Sequence, residues 1–106
     1  MPTQQEIDDV LAKVGTYQTK KGLSDAAQKL VDTANQRALA ARAAFDAMIA
    51  DGETDEEKLT AVLLAVVETK LDSDAKQVEA STKSTEASQA NTQLTDALYL
   101  LTIPPP

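Results

Sequence analysis

Ala47-Met48-Ile49-Ala50-Asp51-Gly52-Glu53-Thr54-Asp55-Glu56-Glu57-Lys58-Leu59 is the stretch that decides the fold. The helical periodicity on its left stops at Asp51-Gly52, where glycine supplies the left-handed residue that commonly closes a helix. On its right, Thr54 and Glu57 have capping-box spacing, and Asp55, Glu56 and Glu57 place negative charge at the positive end of a new helix. One helix ends and another begins within a few residues, so the chain is expected to reverse here.

Working outward toward the N-terminus, the segment from Ser24 to Ala50 is rich in alanine and contains no glycine or proline. Ser24 is a good N-cap for it. Ala27, Val31, Ala34, Ala38, Ala41, Phe45 and Met48 step alternately by four and three residues, which is heptad spacing with mostly small knobs. Leu30, Leu39 and Ile49 fall outside that seam, so the helix is expected to meet more than one neighbour. Further upstream, Thr3 and Glu6 form a second capping pattern before Ile7, Val10, Leu11 and Val14. This predicts a short helix over about 4–14, followed by a loop bracketed by Gly15 and Gly22.

Toward the C-terminus, Leu59, Val62, Leu63, Val66, Val67 and Leu71 make the opening turns strongly apolar. The composition then becomes rich in Ser, Thr, Gln and Asn. One heptad position nevertheless runs through Leu59, Val66, Ser73, Ala80, Ala87, Leu94 and Leu101, which predicts one long helix with a partly polar seam. The alternative is a break at Asp72-Ser73-Asp74, three poor helix formers, giving a compact four-helix bundle. The apolar run Leu98, Tyr99, Leu100, Leu101 and Ile103 precedes three prolines and is read as an interaction tail.

The expected fold is therefore all-α, a single domain over 1–106: a short helix and linker (1–23), hairpin helix one (24–50), a turn (51–54), a long hairpin helix two (55–101) and an extended proline tail (102–106). Tyr17, Phe45 and Tyr99 are the aromatic residues, beside 18 alanines, so the seams bury little area per residue. A chain of 106 residues with such seams tends to need partner subunits.

The inventory of reactive groups is short. With no histidine or cysteine, Ser-His-Asp and Cys-His catalysis lack their parts, and zinc would need an all-carboxylate site. Asp51, Glu53 and Asp55 match the first, third and fifth positions of a calcium loop, but Glu56 stands at the glycine position and Val62 at the bidentate glutamate. Three separated glycines make no phosphate loop. No catalytic residue, metal site, cofactor or small-molecule substrate is expected. A net charge of −7, with bases interleaved among acids, argues against nucleic acid. No run is long enough to span a bilayer, and Met1-Pro2-Thr3-Gln4-Gln5-Glu6 lacks the charge and apolarity of an export leader.

The layout, about a hundred residues with a central reversal, is similar to that of small secreted helical hairpins that turn on Trp-x-Gly. This chain has no tryptophan and turns on Ala50-Asp51-Gly52-Glu53-Thr54, so the resemblance carries no function across. Seams and an apolar tail instead suggest a non-enzymatic structural or assembly protein acting through helix–helix packing. Its expected partners are copies of itself or neighbouring proteins of a bacteriophage virion, as a capsid, neck, tail or fibre-associated component assembled in the host cytoplasm. The alternative is a small cytoplasmic binding module or a secretion-linked chaperone.

Overall fold

The computed structural model describes residues 2–102, with Thr102 described by its backbone alone. The chain is an all-α antiparallel helical hairpin of two 47-residue helices, α1 (Gln4–Ala50) and α2 (Glu56–Thr102), with no strand among the described residues. The proline tail expected over 102–106 lies outside the described residues, except for Thr102, which closes α2.

The reversal is a Schellman cap. Gly52 has φ +77° and its N–H donates to the Ile49 carbonyl at 3.1 Å, while the Glu53 N–H donates to the Met48 carbonyl at 2.9 Å. Helix α2 is capped one residue later than the Thr54 pattern predicts. The Asp55 carboxylate accepts from the Glu57 and Lys58 amides at 2.9 and 3.4 Å, and Glu53 accepts from the Asp55 amide at 3.0 Å. A charged carboxylate is a strong acceptor for these otherwise unpartnered amides. At the start of α1 the hydroxyl of Thr3 accepts from the Glu6 amide at 3.1 Å and donates to its carboxylate at 3.2 Å.

The short N-terminal helix and linker expected over 1–23 do not form separate elements, because α1 runs unbroken from Gln4. Isolated glycines cost a helix about 1 kcal/mol each, which is less than a break would forfeit in packing. Continuing the helix brings Val10, Tyr17, Ser24 and Val31, spaced by sevens, onto one inward face, where all are buried or half-buried. Ser24 is accordingly an inward residue within α1 rather than its cap. The alternative break at Asp72-Ser73-Asp74 is absent as well. The Ser73 hydroxyl donates to the Asn35 side-chain carbonyl, and Lys70 pairs with Asp74 at 2.8 Å across the same turn.

Packing groups the chain into two units. One is Ala27–Ala80, which contains the turn; the other, among the described residues, pairs 2–26 with 81–102. Within Ala27–Ala80 the core is one buried cluster of Ala27, Val31 and Ala80, with Ala34 and Ser73 also buried. In the other unit Val10 and Ala90 are buried, and Lys20 pairs with Glu86 at 3.7 Å.

Candidate functional site

In the turn-side unit, α1 presents Ala27, Val31 and Ala34 buried and Ala38, Ala41, Phe45 and Met48 half-buried. Facing them, α2 presents Leu59, Val62, Val66, Thr69, Ser73, Lys76 and Ala80, all buried or half-buried, again in steps of three and four. This is the burial pattern of a two-stranded coiled-coil seam. The inward set on α2 turns polar at its centre: Thr69 returns its hydroxyl to the Ala65 carbonyl at 2.7 Å, and Ser73 is occupied by Asn35. Thr69 and Lys76 carry no apolar pattern, so reading the sequence for apolar periodicity passed over them.

Beside the Asn35–Ser73 pair the helices leave an open groove of about 520 Å³, lined among others by Ala38, Leu39, Arg42, Val66 and Lys70. Its two cations are engaged by carboxylates of their own helices, Arg42 with Asp46 at 3.3 Å and Lys70 with Asp74 at 2.8 Å. No carboxylate lines the groove, so it holds no acid–base pair. Among the described residues no three potential metal ligands come together, and Glu53 and Asp55 of the calcium-like triplet are occupied with backbone amides. Among the described residues no helix is long and apolar enough to cross a membrane.

The side of α2 that points away from α1 is the more unusual one. Leu64 is 55% exposed, Leu71 63% and Val78 68%, seven residues apart, with Val67 exposed beside them. In a solitary hairpin that outermost heptad position is normally charged. The back of α1 carries a stripe of smaller exposed side chains, Thr33, Ala40, Ala43 and Ala47, with Gln36 within it and Leu39, 70% exposed, along its edge. In the other unit the outermost position of α2 is held by Thr85, Thr92 and Tyr99, all exposed, with no charge among them.

Of the interaction tail, Leu98, Tyr99 and Leu100 are exposed and Leu101 is half-buried, while Ile103 lies outside the described residues. The spacing explains the division, since Leu101 is the last member of the inward heptad series and its neighbours point elsewhere.

No protein-family model, curated protein or solved structure matches this chain.

Proposed function

We propose that the protein is a non-enzymatic structural subunit that works by packing its outward helical faces within a larger protein assembly, as components of a virion do. The observation that carries this reading is the placement of Leu64, Val67, Leu71 and Val78 on the side of α2 that α1 does not cover. Contiguous exposed apolar side chains of this size are characteristic of interaction surfaces. Each would gain about 1.5–3 kcal/mol from full burial against a partner.

Native mass measurement on the purified chain, beside the variant Leu71→Glu, tests the reading. The expected result is a wild-type species heavier than the 11.3 kDa chain and a lighter variant with unchanged helical content. A monomer whose behaviour the substitution leaves unaltered would favour a small helical binding module instead.

A further inference from the structure

We infer that the occupant of the outer face of α2 within Ala27–Ala80 is a second copy of this chain, seated with that face against the small-sided back of the neighbour's α1. This inference rests on the assembly reading above and names its partner.

A head-to-tail contact uses two surfaces of every copy, one that is offered and one that receives.

Shape and charge identify which surfaces these are. Leu64, Val67 and Leu71 project from α2 as knobs, while Ala40, Ala43 and Ala47 leave the back of α1 low enough for close helix approach. Within Ala27–Ala80, α1 carries two acids and three bases, whereas α2 carries six acids and three bases. A two-fold contact of α2 on α2 would oppose two segments of net charge −3, and the contact of α2 on α1 avoids that repulsion. Because such a contact does not close on itself as a two-fold dimer does, it propagates into rings or filaments.

The absence of cysteine makes the test free of background. Two single-site variants are prepared, Ala75→Cys beside the α2 knobs and Ala43→Cys on the back of α1, with a mass tag on one. They are mixed as full-length chains and treated with a short bismaleimide, while native mass is recorded on the same samples. The expected result is a product joining the two variants in excess over either self-product, lost when Leu71→Glu is added to the Ala75→Cys chain. An oligomer that yields mainly the Ala75 self-product, or no mixed product, overturns this pairing and leaves the assembly reading standing. A monomeric native mass overturns the second copy as occupant and the assembly reading with it.

Discussion

Two sides of one helix segment, residues 62–80 of α2, are built in opposite senses. The side against α1 carries Val62 and Val66 and then Thr69, Ser73, Lys76 and Ala80, while the side away from it carries Leu64, Val67, Leu71 and Val78 together with the charged Glu68 and Asp74. A helix designed for a solitary hairpin has its larger apolar residues inward and its polar residues outward. Here the inner seam is narrow and partly polar, suited to close approach and to fixing one register. The outer side has the side chains that bury more area. On this segment the bulkier apolar side chains therefore stand on the side that the intrachain partner leaves exposed, which is the side the proposed assembly would cover.

The same charge placed on each side should affect the two faces very differently. Val31→Asp puts an unpaired carboxylate among Ala27 and Ala80, where an uncompensated buried charge costs about 3–5 kcal/mol. Circular dichroism should show this variant losing much of its helix at 25 °C. Leu71→Asp, on the exposed side, should keep its helical signal. Equal losses from both would mean that the two faces do not differ in role.

Next in size is overpacking of the seam. Ala34 is 3% exposed, so Ala34→Leu should lower stability by about 1–3 kcal/mol in urea titration. Ala38 opens onto the groove of about 520 Å³, and Ala38→Leu should cost less than Ala34→Leu. The reverse order would move the tight contact of the seam away from Ala34.

At the reversal, Gly52 has φ +77°, a region that costs other residues about 1–2 kcal/mol, and no atom crowds the position where a side chain would begin. Gly52→Ala should therefore destabilise through backbone strain alone. A thermal midpoint equal to wild type would show that the turn relaxes to a conformation other than the Schellman cap.

The smallest effect concerns register. Ser73→Ala removes the donor to Asn35 inside the seam and should cost about 1 kcal/mol. Adding Asn35→Leu should restore much of that stability, because the pair is then replaced by apolar groups. If the double variant also becomes heterogeneous in ion-mobility measurements, the pair fixes register as well as satisfying its own polar groups.

How far the sequence carried the fold can be argued from the same residues. Gly52 was legible because one glycine sits where periodicity stops, and the heptad series from Leu59 to Leu101 was legible because α2 never departs from it. Gly15 and Gly22 misled, since local propensity marks them as breakers while the sevenfold spacing of Val10, Tyr17, Ser24 and Val31 keeps α1 going. Lys76, and the half-buried Lys83 seven residues further on, are invisible to an apolar pattern, as their stems can line a seam while their charges reach out of it. The candidate face was only half legible. Leu64, Val67 and Leu71 read as apolar, but apolarity alone does not say whether a side chain points at its own hairpin or away from it.

The central claim, that much of the stabilising apolar burial is intermolecular, is tested most directly by thermal unfolding at two protein concentrations a hundredfold apart. Association of native chains stabilises by mass action. The account predicts a midpoint that rises with concentration in wild type and is concentration-independent in Leu71→Glu. A wild-type midpoint that is the same at both concentrations would contradict it.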